Sequence, residues 1–151
     1  MVLTLDIFVN KKFIIMKNLS IENKISSLSI IASFVEQFGA ENNLSQKHIF
    51  ELNLILDELI TNTINYGYSD DEAHMIEISM EIENENILVK IIDDGNEFNP
   101  LSKEEVNINE NLDQRKIGGL GIHIVKQKTD EIKYERKGDK NIVRFVKNLT
   151  K

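Results

Sequence analysis

Residues 54–70 read "LILDELITNTINYGYSD" and place Asn62 and Asn65 inside what is otherwise an amphipathic helix, with Asp57 and Glu58 one turn earlier. Asparagine is a mediocre helix former whose amide prefers caps and turns, so two of them in a helix interior ask for a reason. At 100° per residue, Leu52, Ile55, Leu56, Leu59, Ile60 and Thr63 form an apolar face. Glu51, Glu58, Asn62 and Asn65 then fall in one stripe on its flank. Glu58 and Asn62 are four residues apart and therefore stacked one turn above the other. A carboxylate can accept a proton. A carboxamide oxygen beside it suits a hard cation such as Mg²⁺, which keeps several waters and takes few protein ligands. The same residues also suit a solvated helix flank, and the pair gains direction only from segments further along the chain.

Two such segments follow. "ILVKIIDDGNEFNP" is an apolar strand run ending in Asp93-Asp94-Gly95. A carboxylate there can accept a hydrogen bond from an adenine amino group, and the glycine lets a flat base approach the backbone. Asp-Gly is equally common turn chemistry. "GGLGIHIVKQ" then sets Gly118, Gly119 and Gly121 at the start of a helix. Exposed N–H groups and the helix dipole attract an anion at such a place. A cap and loop is the alternative, and the spacing fits neither GxxxxGK[ST] nor GxGxxG. Arg115 and Lys116 precede these glycines and are candidates for a terminal phosphate, or else solvated loop charges. His123 falls on an apolar helix face and reads as a packed core residue, while His48 and His74 lack partner spacing for a metal site.

The elements that must position these residues follow from periodicity. Residues 13–21 alternate as a strand; 25–38 carry apolar residues at helical spacing, ended by Gly39 and Asn42-Asn43. Ser45 is the N-cap expected for a helix over 46–66. Two β-rich runs meet at residues 84–86, a short helix follows the glycines, and "EIKYER" and "NIVRFVKNL" form a hairpin around "KGDK". Between them, residues 96–119 are polar and weakly periodic, a loop long enough to be functional or disordered. This order implies an α+β, two-layer sandwich whose antiparallel or mixed sheet is covered by helices on one face. We place an N-terminal extension at 1–12 and one domain at 13–151.

The totals narrow the class. A chain of 151 residues is one ordinary domain, and 41% hydrophobic with 28% charged residues is a globular composition. Net charge −7 argues against a nucleic-acid binder, which needs a basic surface. The absence of cysteine excludes disulfides, thiolate metal sites and a cysteine nucleophile. No targeting segment or membrane span is recognisable, which implies a cytoplasmic protein.

Taken in order, Glu58-x-x-x-Asn62, Asp93-x-Gly95 and Gly119-x-Gly121 resemble the histidine kinase-like ATP-binding superfamily. The likeness is strongest to its small bacterial anti-sigma factors that are also serine protein kinases, and it extends from about residue 13 to 149. "DELITNTINYGY" resembles their Glu-x-x-x-Asn helix, "DDGNEFNP" their Asp-x-Gly-x-x-Phe-Asp-Pro segment, and "GGLGIHIVKQKTDEIKY" their Gly-Gly-x-Gly helix and strand. The resemblance implies a fold of the Bergerat type, with ATP and Mg²⁺ as cofactors and a nucleotide lid over about 97–118. Asn62 would coordinate Mg²⁺, and Glu58 would be the catalytic base. Asp93 would bind adenine, with Gly95 and Phe98 beside it; Gly118, Gly119, Leu120 and Gly121 would line the phosphates, joined by Arg115 and Lys116. Asn65 is carried as a further nucleotide contact or a helix-end residue. It also implies transfer of the γ-phosphoryl group to a serine on an anti-anti-sigma (STAS-type) partner, capture of a sigma factor, and a homodimer. An ATP-dependent binding module of the same fold without kinase activity is the alternative. The chain departs from the family pattern at Tyr66, Glu97 and Asn99, and Asn141 stands about where the family often has a threonine.

Overall fold

Apolar residues at every second position build the sheet. Its strands are β1 (Lys17–Glu22), β2 (Met75–Glu83), β3 (Asn86–Asp93), β4 (Glu131–Lys137) and β5 (Lys140–Asn148). The computed structural model of the chain describes residues 16–102 and 120–151. The strands lie in the order β1-β2-β3-β5-β4. Every neighbouring pair is antiparallel, which decides between the two sheet types the sequence left open. Because β5 enters between them, β3 and β4 run parallel without touching. At the β2–β3 turn, Asn84 and Glu85 have φ of 46° and 63°. Two positive φ values in a two-residue hairpin match the twist of the flanking strands.

The helices are α1 (Leu28–Glu41), α2 (Gln46–Tyr66) and α3 (Leu120–Lys128). They share one core with a single face of the sheet. On that face Ile78, Ile91, Val143 and Tyr134 form one cross-strand row, and Met80, Val89, Phe145 and Ile132 form the next. Met80, Leu52, Ile55, Leu56, Ile60 and Phe38 are fully buried between the layers. The helix face expected on α2 is therefore the one that packs. Ser45 caps α2 as its side chain implies, its Oγ accepting the His48 N–H at 3.2 Å.

Helix α1 ends at Glu41 with Asn42 as its C-cap, as the Asn42-Asn43 pair implied, but Gly39 lies inside the helix and does not end it. The glycine serves as a packing notch instead. A Cβ built there would lie 2.5 Å from both Cδ1 and Cγ1 of Ile49, which is itself buried on α2. Gly39→Val is expected to lower stability by about 1–3 kcal/mol through overpacking, measured as a reduced urea midpoint with an unchanged slope. An unaltered midpoint would show that the α1–α2 contact has room the geometry denies.

Candidate functional site

The C-terminal half of α2 is the spine of the site. Glu58 is half-buried and faces the first turn of α3: a methyl group on Gly121 would overlap its carboxylate. Only a residue without a side chain lets α3 begin there. Burial, and then the charge of Asp57, push the Glu58 carboxyl above the ordinary carboxylate range. Asn62 is half-buried one turn on, and Asn65 is exposed. None of Glu58, Asn62 and Asn65 has a hydrogen-bond or ionic partner among the described residues.

At its end, the same helix meets the β3 margin. Gly67 caps α2, its N–H donating to Thr63 O at 2.8 Å. Its carbonyl accepts the Asn96 N–H at 2.6 Å, and a Cβ on Gly95 would lie 2.5 Å from that carbonyl oxygen. The Tyr66 and Phe98 rings meet at 5.8 Å between centroids. Nine residues of helix separate Glu58 from Gly67, or about 14 Å at 1.5 Å per residue. Asn62 lies between the two ends, so an amide without a partner occupies the stretch from the Gly121 contact to the Gly95 contact.

Asp93 ends β3 on the buried side of the sheet and is 6% exposed. Its Oδ1 accepts the Gly95 N–H at 2.9 Å and the Asn141 amide at 2.8 Å; its Oδ2 accepts no hydrogen bond among the described residues. Burial pushes the Asp93 carboxyl up, and the bonds from Asn141 and Gly95 offset this only in part. Asp93, Asn141 and Arg136 form one row across β3, β5 and β4. Asn141 is 3% exposed and acts as the hub of that row. Its Nδ2 also donates to Asn96 O at 2.8 Å, and its Oδ1 accepts from the Tyr134 hydroxyl at 2.8 Å and the Phe98 N–H at 3.4 Å. Arg136 donates to Gly95 O at 2.8 Å. The turn after Asp93 is thus fixed from two neighbouring strands as well as from α2.

Of the residues singled out in the sequence, Glu58 and Gly121 come together, as do Asp93, Gly95 and Phe98 around Asn141. Leu120 is exposed at the head of α3. Arg115, Lys116, Gly118 and Gly119 lie outside the described residues, as does residues 103–118 of the expected lid. The described part of that segment closes on itself. Asn99, standing where the family pattern has aspartate, still accepts the Leu101 N–H at 2.9 Å through its side chain.

One expectation fails, at His123. Glu51, which shares the α2 stripe and was not among the candidate site residues, lies two turns or about 10 Å nearer the N-terminus. There its carboxylate binds Lys128 at 3.0 Å and Lys147 at 2.5 Å, with Lys147 itself buried. Burial raises its pKa, but the bonds from the two lysines prevail and hold it below the usual range. A helical wheel shows direction and not height along the axis, so sharing the stripe does not bring Glu51 to Glu58. His123 is not a packed core residue: it is half-exposed beside Gln127, 3.0 Å away, because Ile122 and Val125 take the core side of α3. Tyr134, Arg136 and Gly67 were not foreseen. Only the register across β3, β5 and β4 brings Tyr134 to Asn141 and Arg136 to Gly95, and no local pattern encodes that register.

A family model described as the histidine kinase-like ATPase domain matches residues 21–147. The chain is 26% identical over 133 residues to an anti-sigma F factor of Anoxybacillus flavithermus, covering 85% of this chain and 91% of that one. It is 29% identical over 101 residues to the serine-protein kinase RsbW of Oceanobacillus iheyensis, covering 63% of this chain and 64% of that protein, less than two thirds of its length. The crystal structure of the RsbU and RsbW domains of a Mycobacterium tuberculosis protein superposes with a TM-score of 0.63 at 12% identity, covering 89% of this chain and 32% of that one. That likeness concerns the fold. No described helix is long and apolar enough to cross a membrane.

Proposed function

The chain belongs to the histidine kinase-like ATPase family over residues 21–147, and from that premise we propose that it is an ATP-dependent serine protein kinase of the anti-sigma type. One observation carries the reading. Along a single helix, a carboxylate with no partner among the described residues meets a glycine-led helix start, and some 14 Å further on the same helix meets a buried aspartate whose second oxygen is unbonded among those residues.

Asp93 Oδ2 is the acceptor for the adenine amino group, and Gly95 keeps that wall flat. Phe98, fixed by Tyr66 and Asn141, borders the base. Leu120 and Gly121, with Gly118 and Gly119 before them, line the phosphates, and Arg115 and Lys116 neutralise the terminal one. Asn65 is exposed on the same helix and serves as a peripheral contact. Asn62 fits a magnesium ion, because its amide is half-buried and otherwise unused. The ion, when bound, neutralises charge on the phosphates.

Glu58 acts on the incoming serine. It accepts the hydroxyl proton as the serine oxygen bonds to the γ-phosphorus and the bond to the ADP oxygen breaks. A carboxyl held above its usual range is a better base for that step than a solvated one. The acceptor serine belongs to a small anti-anti-sigma protein. The unphosphorylated form competes with a sigma factor for the kinase, and phosphate on a docked surface adds charge there and releases it. We place the protein in the cytoplasm as a homodimer; its relatives' names support the partner classes.

The test is a nucleotide titration with and without Mg²⁺ on the wild type and Asn62→Ala, followed by incubation with γ-labelled ATP and a serine-bearing anti-anti-sigma protein. Asn62→Ala should lose mainly the metal-dependent part of the affinity, about tenfold or more for one charge-assisted ligand. Equal affinity for both proteins in both conditions would remove Asn62 from the metal site.

A further inference from the structure

His74 opens the way into β2 and is the one imidazole near the site. Its Nε2 lies 2.9 Å from Asp70 Oδ1 and its Nδ1 3.2 Å from Asp94 Oδ1. The two carboxylates belong to different segments, one after α2 and one after β3. Asp70 sits in the segment after α2, whose Gly67 carbonyl holds Asn96. Asp94 follows the adenine carboxylate Asp93 directly. The two segments are also joined by the Asn96 side-chain amide, which donates to Ser69 Oγ at 3.2 Å.

The remaining surroundings of the ring are neutral. Tyr68 packs on it with centroids 4.7 Å apart, and the Tyr68 hydroxyl is buried without a partner among the described residues. Asn23, from the turn after β1, accepts the His74 backbone N–H at 2.9 Å. The charged groups facing the imidazole are therefore Asp70 and Asp94, with Asp93 behind the latter.

We propose that His74 is a positioning residue for nucleotide binding, a clasp that adds a bridge from Asp70 after α2 to Asp94 after β3 while the imidazole is a cation. This rests on Asp93 being the nucleotide carboxylate. Geometry requires the charge. A cationic ring donates from both nitrogens, one to each carboxylate, whereas a neutral ring has one N–H and turns a lone pair toward the other carboxylate. The bonds to Asp70 and then Asp94 raise the His74 pKa above the ordinary histidine value. The clasp is thus complete below about pH 6.5 and is lost as pH rises through the elevated value. Loosening it removes one of several restraints on the turn whose Gly95 N–H orients Asp93.

The experiment measures ATP affinity from pH 6 to 9 for the full chain and for His74→Gln, taken as a ratio at each pH so that titration of the phosphates cancels. The ratio should favour the wild type by about threefold or more at pH 6 and approach one at pH 9. The imidazole resonance of His74 should titrate at higher pH with nucleotide bound than without, by reciprocity of linkage. A ratio that does not change with pH, or a His74 titration indifferent to nucleotide, overturns the clasp while leaving the site intact. Failure of both proteins to bind ATP at any pH overturns the nucleotide reading and the clasp with it.

Discussion

Glu58→Gln is expected to lower phosphoryl transfer to serine by roughly 10²–10⁴-fold while ATP still binds. The substitution keeps the size of the side chain and its packing against Gly121. It removes only the capacity to take a proton. In the proposed role the carboxylate form is the active one, and its pKa is raised by burial and by Asp57. Wild-type transfer should accordingly climb as pH passes upward through that elevated value, and the variant should lack this limb. Single-turnover rates with labelled ATP read both effects. Unchanged transfer in the variant takes the base role from Glu58. If the wild type binds ATP and transfers nothing to any serine partner, the chain is a nucleotide-dependent binding module.

Asp93→Asn separates affinity from stability. The asparagine oxygen can still accept from Gly95 and Asn141, so the turn after β3 keeps its bonds. Its second atom becomes a donor that opposes the adenine amino group. ATP affinity should fall by roughly 10–100-fold, the size expected for a hydrogen bond to a charged group that is lost and replaced by a clash of donors. The ligand-free variant should be no less stable than the wild type at neutral pH. The reason is linkage: a buried carboxyl with a raised pKa binds more protons folded than unfolded across the window between about 3.9 and its native value. Wild-type stability therefore falls as pH rises through that window, and the neutral variant has no such slope. Urea midpoints from pH 4 to 8 measure this. A variant that binds ATP normally, or that loses stability at neutral pH, contradicts the assignment of Asp93.

Local pattern carried the secondary structure because each element is amphipathic in its own period. The α2 face of Leu52, Ile55, Leu56 and Leu59 and the Ser45 cap are both present as the spacing implies. Gly39 was misread because a helix interior tolerates glycine when a neighbouring helix needs the space. That demand comes from Ile49, ten residues away. His123 shows the narrower limit of periodicity: on a helix of nine residues, the core side is set by what lies beneath it.

Motif order in the chain gave Glu58, Asn62, Asp93, Gly95 and Gly121 as one set, since each motif is a short run whose chemistry is local. The sequence alone also determined that the site would be carboxylate, amide and glycine rather than thiolate or metal cluster. Tertiary structure alone decided what surrounds these residues. It paired Glu51 with Lys147, and it put Asn141, Arg136 and Tyr134 around Asp93. It also set His74 between Asp70 and Asp94. All three outcomes depend on strand register and on position along a helix axis, and these are fixed by packing between elements far apart in the chain.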